Sequence, residues 1–203
     1  IDDILVHRKF GDAGERVVIQ ERLPMDQGGE VSLHALCSRG TALLFPRSRD
    51  YKRVGDGDTG LNTGGTGGYS VDGVTESLLD LARPIILPWL YGCESLGIEF
   101  TGLFYPGIMR TSEGPKVLEG NARFGDPETQ LYLTRMENDL LDLIEAGLFG
   151  TLHEHTLQWK HAVSICVAMM AKGYPDTPER GKVIKGLDAI LPANLKVFLA
   201  GAK

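Results

Sequence analysis

Cysteine is scarce in this 203-residue chain: Cys37, Cys93 and Cys166 are its three, far apart and with no C-x-x-C pair. That spacing excludes a disulfide framework and a thiolate zinc site, and it fits a reducing compartment. Long apolar runs are missing too, since no stretch approaches the roughly 20 residues a membrane helix needs. The first residues also lack the basic-then-apolar order of a secretory signal. There is no cationic surplus: 21 Lys and Arg against 27 Asp and Glu leave a formal net charge of −6, which argues against a general nucleic-acid or anionic-membrane surface. No internal repeat appears, and no low-complexity tract outside one glycine-rich loop. No methionine starts the chain and no cap precedes its first helical pattern, so it is expected to begin inside an element. What remains is a soluble, cytoplasmic reading, with 42% hydrophobic and 24% charged residues able to bury a core in one or two domains.

The densest chemistry lies in Lys116-Val-Leu-Glu-Gly-Asn-Ala-Arg-Phe-Gly-Asp-Pro-Glu-Thr-Gln130, where an alternating strand is predicted to run into a helix start. Residues i and i+2 of a strand share a face, so Glu119, Asn121 and Arg123 are expected on one side and Leu118, Gly120 and Ala122 on the other. A carboxylate beside an amide oxygen offers two hard oxygen ligands, which suits Mg²⁺ completed by nucleotide phosphates and water. Arg123 is a natural partner for a carboxylate or phosphoryl oxygen. The tripeptide by itself reads more simply as the solvated face of an edge strand. Downstream, Asp126-Pro127-Glu128 reads as an N-cap, a proline at the first helical position and an acid in the first turn.

A second stretch, Arg49 to Tyr69, is rich in glycine. Consecutive glycines let backbone N–H groups turn inward as an anion-binding nest, with Lys52 and Arg53 supplying positive charge at its entrance. Composition alone also fits a floppy, solvent-filled connection.

The longer strings carry more. Glu-x-Asn-x-Arg-Phe-Gly-Asp-Pro-Glu-Thr-Gln (119–130) and Asp-x-Lys-Arg-Val-Gly-Asp-x-Asp-Thr-Gly-x-Asn-Thr-Gly-Gly-x-Gly-x-Tyr-Ser (50–70) together resemble the signatures of the phosphoribosylamine-glycine ligases, ATP-grasp enzymes of purine biosynthesis. The resemblance runs from about Phe10 to Lys203. It implies an α+β fold: a partial ATP-grasp domain over 1–155, in which 1–23 end the ATP lid and form the hinge, and the start of a small C-terminal domain over 156–203. The departures are Tyr51, Leu61, Thr66, Gly68, Val71, Pro84, Pro106 and Gly120, the last where the family carries a large aromatic. If nothing refilled that space, the void would cost on the order of 3–5 kcal/mol.

By the same resemblance, Glu119 and Asn121 would ligate a Mg²⁺ or Mn²⁺ ion that bridges the phosphates of ATP. Gln20, Glu21 and Leu23 would meet the adenine at the hinge, and Glu30, past the extra residues Pro24 to Gly28, would meet the ribose. Asp50, Lys52, Arg53, Asn62, Thr63, Gly64 and Gly65 would surround the phosphates and the glycine or 5-phosphoribosylamine. Arg123 would steady the transferring phosphoryl group, with Asp126, Lys52 and Arg53 completing the catalytic set. The implied partners are small molecules, with no nucleic acid and no membrane, and fusion to further purine-pathway domains is compatible with the match. A contrasting reading is a truncated or decayed copy, motivated by Pro84, Pro106, Gly120 and Leu61, which alter packing or backbone more than chemistry.

Elsewhere the patterns predict a helix tail (Ile1 to Lys9), a turn and a strand at Val17-Val18-Ile19. Val31 to Phe45 reads as two strands turning at Ser38-Arg39-Gly40. Thr75 caps a helix that Pro84 and Pro88 should kink or divide. Ile98–Arg110 and Lys116–Ala122 form a hairpin, with Pro106 marking an edge or bulge. Leu131 to Leu148 is helical, restarting near Asn138-Asp139 and closing at Gly147 or Gly150. His153 and His155 lack a third ligand, and Val163 to Met169 alternates as a strand.

Overall fold

The computed structural model describes residues 1–23, 29–71, 73–189 and 191–202. The extra residues Pro24 to Gly28 lie outside the described set. The chain opens with α1 (Asp2–Leu5) and a 3-10 turn at Gly11–Gly14. Val17 to Ile19 form no strand: Val18 and Ile19 are exposed, and no described strand pairs with them. The apolar run has the composition of a strand but no partner, and isolated strands do not persist in water.

The sheet is built from β1 (Glu30–Ser32), β2 (Ala35–Ser38), β3 (Thr41–Leu44), β4 (Ser48–Asp50), β7 (Gly67–Ser70), β8 (Gly102–Thr111), β9 (Gly114–Asn121) and β10 (Ser164–Val167), while β5 (Arg53–Gly55) and β6 (Thr59–Asn62) form a separate two-stranded ribbon. All the pairings are antiparallel. β1 and β2 lie end to end along one side of β8 in a single register, interrupted at Leu33-His34, and β9 takes the other side. The β2–β3 turn is made by Arg39 and Gly40, both at positive φ, which gives a hairpin turn the twist of its strands. The β8–β9 hairpin is tighter than the sequence suggests, because pairing continues to Thr111 and Gly114. Pro106 sits inside it opposite Gly120, next to a register shift between Gly107 and Ile108.

Alternation then divides the sheet into two working faces. Leu33, Ala35, Cys37, Phe104 and Ile108 pack on one face against Leu78, Ala82, Ile85, Ile86 and Leu90 of α2 (Glu76–Ser95). Leu36, Phe45 and Leu103 pack on the other against Tyr132 of α3 (Glu128–Leu133), Leu143 and Ala146 of α4 (Leu140–Phe149), and Leu152. α4 begins at Asp139, which accepts a hydrogen bond from Leu141 N–H at 2.8 Å, and ends at Gly150 in the left-handed region.

Two expectations change. α2 is one continuous helix despite Pro84 and Pro88. The prolines are four residues apart on its exposed face, so the carbonyls of Asp80 and Pro84 that lose their N–H partners lie on the solvent side. No enclosed void lies at Gly120: the residue is exposed, a Cβ there would meet Phe104 Cε2 at 3.4 Å, and the Trp89 ring stacks on Phe104 at 4.3 Å. Aromatic surface drawn from α2 covers the face that an aromatic at position 120 would cover.

β10 adds to the same sheet through β7, with Ile165 and Val167 facing solvent. No helix among the described residues is long and apolar enough to cross a membrane.

Thr75 Oγ1 accepts a hydrogen bond from Leu78 N–H at 3.3 Å. Thr75→Ala should therefore lower stability by about 1 kcal/mol, a fall of roughly 2–4 °C in the thermal midpoint followed by circular dichroism. Gly120→Ala, which meets ordinary van der Waals contact, should stay within about 0.5 kcal/mol of the parent.

Candidate active site

Glu30 and Ser32 of β1, Tyr105 and Gly107 of β8, and Glu119 and Asn121 of β9 share one face, because Ser32 pairs with Gly107, Gly107 with Glu119, and Tyr105 with Asn121. Glu119 and Asn121 converge as the spacing predicts, with Asn121 Nδ2 donating to Glu119 Oε1 at 3.2 Å and to the Tyr105 carbonyl at 3.3 Å. The amide's orientation leaves its oxygen, together with Glu119 Oε2, as two acceptors that take no hydrogen bond from the described residues. A hard divalent cation fits that pair.

Gly107 supplies the room for the neighbours: a Cβ on it would lie 3.3 Å from Glu119 Cγ and 3.7 Å from Glu30 Oε1. Glu30 accepts from Lys52 Nζ at 2.5 Å in a partly buried ion pair. Burial opposes the charge on Lys52, but the Glu30 hydrogen bond and the charges of Glu30, Glu119 and Asp50 outweigh it, and its pKa lies above the usual lysine value. Glu30, Lys52, Glu119 and Asn121 thus form one cluster, and Asp50 adjoins it.

The glycine-rich stretch is more regular than expected. β5 and β6 turn at Asp56 to Asp58, and Arg53 is spent inside this ribbon: it pairs with Asn62 and donates to Gly60 O at 2.6 Å. Arg53 and Asn62 are exposed there. Residues 63–66 then fold back on Tyr51 and Lys52, with Thr63 N–H and Oγ1 both donating to Lys52 O. The Gly64 N–H donates to Tyr174 OH at 3.3 Å and the Gly65 N–H to Thr63 Oγ1 at 3.0 Å. Gly65 carries the two motifs into contact. A Cβ on it would lie 2.7 Å from Asp126 O, 2.7 Å from Pro127 Cδ and 3.1 Å from Asp50 Oδ1.

Other sequence-derived candidates fall differently. β9 ends at Asn121, so the alternation does not extend to Arg123, whose guanidinium is exposed and donates to Phe124 O at 3.0 Å. Asp126 does not cap α3: Pro127 holds the cap position with no side-chain cap, and Asp126 Oδ1 instead accepts from Gln130 Nε2 at 2.7 Å. Gln20 and Glu21 are exposed, Leu23 is half-buried, and the described residues make no hydrogen bond or ion pair to the side chains of Gln20 and Glu21.

Two residues outside the site candidates read from the sequence hold the site together. Glu128 is 1% exposed, and its Oε1 accepts from Ser32 Oγ at 2.8 Å and Tyr105 OH at 2.6 Å. His34 is fully buried, stacked on Tyr105 at 3.9 Å, with Nε2 accepting from Gly125 N–H at 3.2 Å and Nδ1 3.1 Å from Tyr132 OH. Burial first, and the Arg123 charge second, push its pKa down to about 3, so the ring is neutral, with its proton on Nδ1 toward Tyr132. The available signal was faint: His34 sits at i+2 from Ser32, at the break between β1 and β2 in a largely apolar stretch.

Residues 1–129 match the family described as phosphoribosylglycinamide synthetase, ATP-grasp (A) domain. The phosphoribosylamine-glycine ligase of Xanthomonas campestris is 47% identical over 204 residues, covering 99% of this chain and 46% of that protein. The chain belongs to the phosphoribosylglycinamide synthetase ATP-grasp family. Its counterpart in Mesorhizobium japonicum is 42% identical over 98% of the chain and 47% of that protein, so the chain spans about half the length of the relatives it matches. The crystal structure of phosphoribosylamine-glycine ligase from Thermotoga maritima superposes with a TM-score of 0.70 at 31% identity, over 79% of this chain and 40% of that one. The α+β architecture is therefore that of the ATP-grasp fold, and the Glu119-Asn121 pair sits on its sheet.

His34 gives this ATP-grasp member a pH signature. Between about pH 6.5 and pH 3 the unfolded chain protonates His34 while the fold keeps it neutral, so stability falls as pH drops through that window. Denaturant unfolding of His34→Gln should show a shallower loss of stability between about pH 6 and pH 4 than the parent, whatever its absolute stability. Parallel curves would remove His34 as the cause.

Proposed function

We propose that this chain forms part of the catalytic centre of an ATP-dependent ligase that joins glycine to 5-phosphoribosylamine through a glycyl phosphate, giving glycinamide ribonucleotide. The observation that carries the reading is the convergence of Glu119 and Asn121 beside the Lys52–Glu30 pair, on the face where the glycine turn meets Asp126-Pro127. The names of the relatives supply the reaction.

Glu119 and Asn121 would hold Mg²⁺ or Mn²⁺, which when bound neutralises phosphate charge and orients the transferring group. Phosphoryl transfer of this kind is mostly positioning and charge neutralisation. Lys52, fixed by Glu30, brings a permanent positive charge to the phosphate end of the site. Asp50, Thr63, Gly64 and Gly65 shape the wall beside it, and Arg123, at the strand's exit, can swing from the Phe124 carbonyl onto an acyl phosphate. The hinge roles of Gln20, Glu21 and Leu23, the ribose role of Glu30, the phosphate roles of Arg53 and Asn62, and a catalytic part for Asp126 belong to the same proposal. So does a second domain starting near residue 156. Cytoplasmic location follows from a pathway of soluble metabolites. A decayed copy has no use for the aligned oxygen pair, which favours the working enzyme.

The intact protein should release ADP only when glycine, phosphoribosylamine and Mg²⁺ are all present. Glu119→Ala should abolish turnover with an unchanged thermal midpoint, and retained activity in that variant would remove the metal assignment.

A further inference from the structure

We propose that Tyr174 is a further binding residue of this site, its hydroxyl donating a hydrogen bond to an anionic oxygen of a substrate held over the glycine turn. This rests on the ligase reading above, and it gives a part in binding to the segment after β10, which neither long motif contains.

Tyr174 lies 110 residues along the chain from Gly64, and its hydroxyl oxygen accepts the Gly64 N–H at 3.3 Å. Gly64 is exposed, so the hydroxyl bonded to its amide borders open solvent, from which a ligand has access to it. Gly64 also stands between the two contacts that tie the glycine turn to the rest of the site. Before it, Thr63 donates through its N–H and Oγ1 to the Lys52 carbonyl at 2.7 and 2.9 Å. After it, Gly65 meets Asp126, Pro127 and Asp50. Tyr174 is itself held by a tight turn, in which its N–H donates to Ala171 O at 3.1 Å, Thr177 N–H to Gly173 O at 2.8 Å and Glu179 N–H to Lys172 O at 2.9 Å. Gly173 makes that turn possible at φ +85°, where a Cβ would overlap Thr177 O.

The hydrogen bonds of the turn show what the hydroxyl is for. An anion-binding nest needs free N–H groups, yet Gly64 gives its N–H to Tyr174 and Gly65 gives its own to Thr63 Oγ1. The Gly64 N–H is therefore offered to a ligand through Tyr174. A tyrosine hydroxyl both accepts and donates; here the oxygen has its donor, and among the described residues nothing accepts the hydrogen. Accepting from an N–H polarises the O–H toward donation, and a charged oxygen is the acceptor that gains most from it. Each implied substrate carries one: ATP and phosphoribosylamine in phosphate, glycine in its carboxylate.

The intact protein is titrated separately with ATP, glycine and ribose 5-phosphate, the last a stable stand-in for phosphoribosylamine, with binding read by calorimetry. Tyr174→Phe should weaken one of the three by about tenfold and leave the other two unchanged, and the one affected names the source of the anion. p-Aminophenylalanine at position 174, whose amine donates but accepts poorly, should restore that affinity. A residue serving only to hold the Gly64 N–H would gain nothing from it. No loss, an equal loss for all three, or a loss that the amine leaves in place overturns the proposal. A further measurement needs no variant: in the parent carrying isotope-labelled tyrosine, the Tyr174 ring resonance should move with one of the ligands, and a resonance unmoved by all three overturns the proposal as well. A parent that binds none of the three refutes the ligase reading itself, a result distinct from a parent that binds them with Tyr174 indifferent.

Discussion

A carboxyl group that is 1% exposed persists in a fold only when it is hydrogen-bonded, and Glu128 Oε1 accepts from hydroxyls on two different strands. The constraint ties the start of α3 to β1 and β8 at once. Through Tyr105 it reaches further, because the Tyr105 carbonyl receives the Asn121 amide and the Tyr105 ring stacks on His34. His34 in turn receives the Gly125 N–H, which fixes the segment between β9 and α3. The position of α3 and the aim of the oxygen pair therefore share one buried carboxyl group.

The period-two rule explains why this polar network and an apolar core coexist on so few strands. Ser32, His34 and Leu36 point one way, and Leu33, Ala35 and Cys37 the other. α2 seals the second set, so the first is free to carry chemistry near its open end and packing against α3 and α4 near the other.

What could be read directly from the residues was what depends on near neighbours. The hairpin of β8 and β9, the α4 cap at Asp139 and the approach of Glu119 to Asn121 all follow from local spacing. Arg123 was misplaced because the end of β9 is set by where β8 stops pairing, at Tyr105 opposite Asn121. Glu128 looked like an acid in a first turn because its partner Ser32 is 96 residues away. The β5–β6 ribbon was announced by Gly55-Asp-Gly-Asp-Thr59, a turn signal outweighed by the surrounding glycines. Val17 to Ile19 and the kink expected of α2 failed for a shared reason: propensity says what a segment tolerates, and tertiary partners say what it does.

β10 closes one side of the sheet; its outward residues Ile165 and Val167 are 74% and 76% exposed, and Val163 just before it is 61% exposed. Among the described residues its far side pairs with no other strand, and it carries greasy side chains without the lysines, prolines or bulges by which edges are commonly blunted. A strand so furnished is a template for another polypeptide to add to, so handling this chain at high concentration favours fibrous or stacked association through this flank, and one inward-facing charge on β10 is the remedy a protein engineer would choose.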